Sequence, residues 1–244
     1  MLFRNILMKN RSHIRSSIFL LFVLISCSVA AQDKGYIGIC FGASNPIGNF
    51  ASKNSNNDHA GYAMTGAIFD ITFAYKLGRN AGIAGLIRGQ ANPLDENAFE
   101  EEVSKQYPGN NWSADSDPWR IGGLMGGLYL SFPVSEKISF DARALIGFLN
   151  ATSPAATIAG DFFPYNIYIH QSSANASAFS VLLGGGFKFD VGKRICLLLN
   201  LDYLAAQPEF VNVEQTSNFA PATKRTFTQE FTTINFGFGI AYRL

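Results

Sequence analysis

The chain has 244 residues, 48% of them hydrophobic and only 15% charged, with a formal net charge of +1. Beyond the first thirty residues no run of 18 apolar residues occurs, which argues against a helical membrane protein, and no basic patch speaks for a nucleic-acid partner. The abundance of Gly (23) and Phe (22) in a chain of scattered apolar residues fits a β-barrel with bends and an aromatic outer surface instead.

Residues 1–31 read as an export signal. Arg4, Lys9, Arg11 and Arg15 form a basic start, Ile18 to Ile25 an apolar segment too short to anchor, and Ser28-Val29-Ala30-Ala31 a small-residue cleavage site. Leu24-Ile25-Ser26-Cys27 resembles a lipoprotein box, and that alternative places a lipid on Cys27. Cleavage after Ala31 removes four basic residues and no acidic one, leaving 15 basic against 18 acidic residues in a single domain, 32–244. Only Cys40 and Cys196 remain there, which is no disulfide framework.

Strand-like runs then recur. Tyr36 to Ser44 alternates Ile37, Ile39 and Phe41 against Gly38, Cys40 and Gly42. After a polar loop through Ala60, Tyr62 to Leu77 sets Phe69, Ile71, Phe73 and Tyr75 against Asp70, Thr72, Ala74 and Lys76. Gly78-Arg79-Asn80 is a tight turn into Gly82 to Asn92, where Ile83 and Ile87 oppose Arg88 and Gln90. A long acidic segment, Pro93 to Pro118, follows. Its front half reads as a surface helix capped by Asn92, with Pro93 in the first turn and Glu100 to Glu102 in solvent. A divalent cation bridging its carboxylates to lipopolysaccharide phosphates is the alternative to simple solvation.

Trp119 to Phe132 and Ile138 to Asn150 form the next pair, around a short turn at Pro133 to Lys137. The spacer Ala151 to Ala176 holds an aromatic patch, Phe162 to His170, read either as strands extended beyond the barrel or as a small hairpin. Phe179 to Val191 and Ile195 to Leu204 flank the turn Gly192-Lys193-Arg194. A last long loop spans Ala205 to Thr228, and Thr232 to Leu244 closes the chain with Ile234, Phe236, Phe238, Ile240 and Tyr242 on one parity. The expectation is an all-β fold: an eight-stranded antiparallel up-and-down transmembrane barrel with three short periplasmic turns, four long outer loops and both termini periplasmic.

With the smaller, more polar parity inside, the lumen receives Asp70, Lys76, Arg88, Asp141, Arg143, Lys188, Asp190, Asp202 and Arg243. Distance from the short turns sorts them into a layer of Lys76, Asp141, Lys188, Asp190 and Arg243 and a deeper layer of Asp70, Arg88, Arg143 and Asp202. Buried charges must pair, and an eight-stranded lumen is just wide enough to be filled by side chains, so ion-paired plugs are expected. A narrow gated pore is the competing reading. Neither the glycine clusters (Gly122-Gly123, Gly126-Gly127, Gly184 to Gly186) nor His59 and His170 have phosphate-binding or catalytic spacing. No metal or cofactor signature occurs.

On these residues the chain from Gln32 onward resembles the outer-membrane β-barrel domain family of Gram-negative bacteria, including outer-membrane protein A-like and opacity-type small barrels. Gly35 to Phe50 is similar to the start of such domains, and Phe236 to Leu244 to their assembly signal, although Leu244 stands where a terminal aromatic is usual. The resemblance implies an outer-membrane location, contact with lipid and lipopolysaccharide, and reading of the last strand by the barrel-insertion machinery. It carries over no catalytic residue and no cofactor. The expected function is non-enzymatic, structural or surface-interacting through the outer loops, with a ligand that the sequence leaves unnamed. The alternative is a small pore for ions or hydrophobic solutes.

Overall fold

The computed structural model describes residues 34–108, 110–162 and 165–244; the leader and Cys27 lie outside them. Eight strands close a barrel: β1 (Gly35–Pro46), β2 (Gly66–Lys76), β3 (Ala81–Asn92), β5 (Trp119–Pro133), β6 (Ile138–Thr152), β9 (Asn175–Asp190), β10 (Ile195–Ala206) and β13 (Phe231–Arg243). They neighbour one another in the order β1-β13-β10-β9-β6-β5-β3-β2, each pair antiparallel, and β1 closes the ring on both β2 and β13.

The period-two alternation sets which side chains go where. Phe41, Leu124, Leu128 and Phe148 stand on the outer wall with 61–69% of their surface exposed. Their neighbours Cys40, Met125, Leu145 and Leu149 are buried inside. At one end, the turn end, β2–β3, β5–β6 and β9–β10 join through tight turns closed by Leu77 N–H to Ala81 O, Val134 N–H to Ile138 O and Val191 N–H to Ile195 O. The long connections gather at the opposite, loop end.

Those connections are more ordered than eight strands and four loops would make them. They carry a short 3-10 helix (Gly48–Ala51), helix α1 (Glu96–Gln106) and five further strands: β4 (Trp112–Ser116), β7 (Ala156–Phe162), β8 (Tyr165–Gln171), β11 (Glu209–Ser217) and β12 (Thr223–Thr228). The five form their own sheet, ordered β12-β11-β8-β7-β4. The β7–β8 hairpin is one of the two expected forms of that spacer. β4, β11 and β12 were not expected, because runs such as Trp112 to Ser116 are too short and too polar to announce a strand.

Three local expectations are corrected. β2 begins at Gly66 rather than Tyr62, whose φ of 48° no strand accommodates. The cap of α1 is Asp95, whose carboxylate accepts the Ala98 N–H at 3.0 Å, and not Asn92. Asn92 is buried at the loop end of β3, where its amide donates to the carbonyls of Ser44 (3.2 Å) and Met64 (2.9 Å). Nor are the helix carboxylates idle in solvent. Glu100 accepts the N–H of Ala114 at 2.6 Å and Glu96 that of Ser116 at 2.7 Å, so one helix face satisfies the outer edge of β4, an edge that would otherwise be open.

The core continues to where the barrel meets this sheet. Phe50 and Phe231 have ring centroids 4.6 Å apart, and Trp119 sits 5.9 Å from Phe50 and 5.3 Å from Phe231. Phe210 joins Trp119 at 5.9 Å and stacks on Phe227 at 5.1 Å. The Trp119 indole N–H donates to Gly61 O at 2.9 Å. Phe50→Ala empties the centre of this cluster and should lower stability by about 3–5 kcal/mol, read as a lower urea midpoint of Trp fluorescence; no change would show that the cluster bears no load.

Asp95 supplies a pH prediction. Its side chain pairs with Lys53 and accepts from Ala98, and these contacts hold its carboxyl below the usual carboxylate range. A depressed folded value means stabilisation that is full above the unfolded value of about 3.9 and lost as pH falls through the folded one. Amide exchange across residues 96–106, corrected for intrinsic pH dependence, should therefore accelerate in acid, and Asp95→Asn should reproduce that acceleration at neutral pH.

Candidate functional site

The inward parity of β2, β3, β6 and β10 brings four charges together in the middle of the barrel. Asp70 and Arg88 are directly opposed across β2 and β3. Arg88 donates through Nε to Asp70 Oδ1 at 2.8 Å and through Nη2 to Asp70 Oδ2 at 2.6 Å. The same Nη2 reaches Asp202 Oδ2 across the lumen at 2.7 Å. Arg143 grips Asp202 from the other side, Nε to Oδ1 at 3.0 Å and Nη2 to Oδ2 at 2.7 Å. The result is one alternating chain, Asp70–Arg88–Asp202–Arg143, with its charges balanced and side-chain exposures of 0–7%. Charge-assisted, partly bidentate bonds are what make such burial tolerable.

The other five charges lie toward the turn end. Asp141 accepts the Tyr129 hydroxyl at 2.7 Å and faces Lys188 at 4.0 Å, while the Lys188 ammonium lies 5.4 Å from the centre of the Tyr36 ring. Arg243 bonds Asp190 at 3.1 Å and donates to the carbonyls of Gly192 and Lys193 in the adjoining turn. Lys76 is half-buried at the end of β2. Leu86, Leu145, Leu182 and Leu198, each at most 1% exposed, fill the space around the charges.

Above the ionic centre the aromatic cluster closes the loop end, and above that lies a cup of about 220 Å³. All five strands of the second sheet contribute to its wall, from Ser116 on β4 to Phe227 on β12, so the sheet curls around it. Tyr62, Phe99 and Trp119 line it from the barrel and helix side. Of the histidines, His59 Nδ1 contacts Thr228 O at 3.1 Å and His170 Nδ1 contacts the Thr157 hydroxyl at 3.0 Å. No group of His, Cys, Asp or Glu suited to a metal ion occurs among the described residues.

The aromatic cluster and the cup escaped the sequence reading, since their members come from five separate segments. Phe50, Trp119 and Phe231 each fell at the margin of a run, where alternation says least. Gly184 belongs to one of the glycine clusters without phosphate-binding spacing, and the fold gives it a packing role. It is in register with Asp202 on one side and Arg143 on the other. A Cβ at Gly184 would stand 2.0 Å from Asp202 Oδ1 and 3.1 Å from Arg143 Nε. Gly184→Ala should therefore cost about 1–3 kcal/mol through overpacking. The control Gly85→Ala, whose nearest neighbour would be 3.9 Å away, should leave the urea midpoint where it is. Equal effects of the two would contradict the account.

No protein-family model and no curated protein matches the chain. Solved structures do. Ail, the attachment invasion locus protein of Yersinia pestis, aligns over 88% of this chain and 100% of its own at 13% identity and a TM-score of 0.45. A major outer membrane protein from Thermus thermophilus aligns over 86% and 99% at 10% identity and 0.48. The outer membrane protein OprG from Pseudomonas aeruginosa aligns over 88% and 98% at 10% identity and 0.44. The last two carry the name outer membrane protein, and this chain is, by its own strand pairing, a closed barrel of eight antiparallel strands.

Proposed function

We propose that this chain is an outer-membrane barrel whose work is recognition at its loop end, not conduction and not catalysis. On this reading residues 1–31 direct export, the apolar row of β13 is read by the insertion machinery, and both termini face the periplasm. The outer row from Phe41 to Phe148 meets lipid, and the loop sheet stands outside among lipopolysaccharide and surface ligands. Exposed side chains as large and apolar as Leu124, Leu128 and Phe148 support a lipid-facing wall.

One observation carries the choice of recognition over transport: the lumen is closed twice beneath a folded loop domain. The ionic chain through Arg88 blocks the middle, and the Phe50–Trp119–Phe231 cluster blocks the loop end. A conduit would have neither reason to bury a guanidinium at 1% exposure nor reason to fill its mouth with aromatic rings. The nine lumen charges act on this reading as a structural plug.

Planar-bilayer recording tests the choice. Purified protein should give no steady unitary current, and replacing residues 153–173 by a tight turn should keep detergent-extracted, heat-shifted gel mobility while abolishing capture of surface ligands by whole cells. Steady unitary currents abolished by Arg88→Ala or Arg143→Ala would replace recognition by a gated pore.

A further inference from the structure

The loop-end cup has the chemistry of a particular ligand class. Its aromatic lining, Tyr62, Phe99, Trp119 and Phe227, gives it apolar surface on several sides. Around these sit polar groups not committed elsewhere. The carboxamides of Gln171 and Gln215, the carboxylate of Asp58 and the Tyr62 phenol make no hydrogen bond to another described residue. The Arg225 guanidinium lies over the face of Phe227, 5.1 Å from its centre. Donors and acceptors are thus both on offer: the guanidinium only donates, the carboxylate only accepts, and the amides do both.

Backbone geometry points to the same place. Tyr62 and Asn212 are the non-glycine residues with positive φ among those described, and Tyr62 lines the cup. A bulky residue in that region is held there by its surroundings, and such outliers concentrate at ligand clamps. Here the Tyr62 N–H donates to Ser52 O at 3.0 Å, its carbonyl accepts from Asp95 N–H at 2.7 Å, and its ring meets Phe99 edge-on at 5.3 Å. The phenol is fixed before any ligand arrives.

We propose that the cup between α1 and the curled loop sheet binds a single pyranose ring of a neutral saccharide, such as the terminal sugar of a surface glycan. This inference rests on the recognition reading above. A sugar ring offers a C–H face to aromatic side chains and a rim of hydroxyls, each of which donates and accepts. A volume of about 220 Å³ lies below the roughly 300–1,000 Å³ that drug-sized ligands fill, so one ring fits and a chain does not. A hydrocarbon would leave the amides and carboxylate dehydrated without partners. A sulfate or phosphate would find one guanidinium, that of Arg225, with the Asp58 carboxylate on the same wall to oppose it.

The test uses the full chain in amine-oxide detergent, since sugar-headed detergents would compete. The chain has two tryptophans, so Trp112→Phe leaves Trp119 as sole reporter at the cup. Titration with D-glucose, D-galactose, D-mannose and N-acetylglucosamine should give a saturable change in Trp119 emission with at least one sugar. The double variant Gln171→Ala/Gln215→Ala should raise its half-saturation at least tenfold while keeping the heat-shifted gel mobility of the folded barrel. No saturable change with any sugar, an unchanged half-saturation in the double variant, or saturation by sodium sulfate or decanoate in place of a sugar would overturn the assignment. Bilayer recording on the same preparation separates the two levels: sugar-blind, non-conducting protein overturns the ligand class alone, whereas steady conductance overturns the recognition reading beneath it.

Discussion

Eight strands close into a tube so narrow that whatever points inward must find its partners there. That constraint governs this molecule. Two arginines and two aspartates cross the lumen as one chain, and each link depends on the next, because Asp202 serves both Arg88 and Arg143. Remove Asp202 and Arg143 loses its carboxylate, while Arg88 keeps only Asp70. Breaking one partner of such a buried set typically costs about 3–5 kcal/mol. The strand register follows from this, since a slip of one residue would turn Arg88 outward and Ile87 inward. Gly184 is small because the ion pair passes over it.

The loop end obeys different rules. Its sheet is open, with edges at β4 and β12, and must solve the edge problem that closure solves for the barrel. At β4 the solution is a helix whose Glu96 and Glu100, one turn apart, accept the N–H groups of alternate strand residues. At β12 it is an exposed strand carrying Lys224 and Arg225. The aromatic cluster welds the two parts together, because Trp119 and Phe231 begin barrel strands while Phe50 and Phe210 belong to the connections. A platform fixed in this way can hold a preformed site, which a set of floppy loops cannot.

The barrel was legible in the sequence because alternation is a local signal repeated eight times. Phe236, Phe238 and Ile240 announce an outward row within a few residues, and the short turns at Gly78 and Lys193 announce the rhythm. The inward charges were legible for the same reason, residue by residue, but not their partners: that Arg88 reaches Asp202 as well as Asp70 depends on the closure of the tube, which no single strand encodes. The loop sheet was barely legible. β4 and β12 are five and six residues of polar sequence, and β4 finds its partner only in β7, well along the chain. Asp95, three residues past the expected cap, shows the same limit on a smaller scale. Several residues near a helix start can cap it, and Asn92 was claimed by Ser44 and Met64.

A lumen filled by its own side chains should be closed to water, and the chain carries its own reporter of that closure. Cys40 lies on the inner face of β1, in register with Asp70 and fully buried, where its sulfur accepts from the Asn200 amide at 3.5 Å. Folded protein in lipid vesicles should be exposed to a small charged methanethiosulfonate reagent and the modified peptides mapped by mass spectrometry. Cys40 should stay unmodified until the barrel is unfolded. Rapid modification of Cys40 in the folded barrel would mean that water reaches the ionic centre, and would contradict that closure.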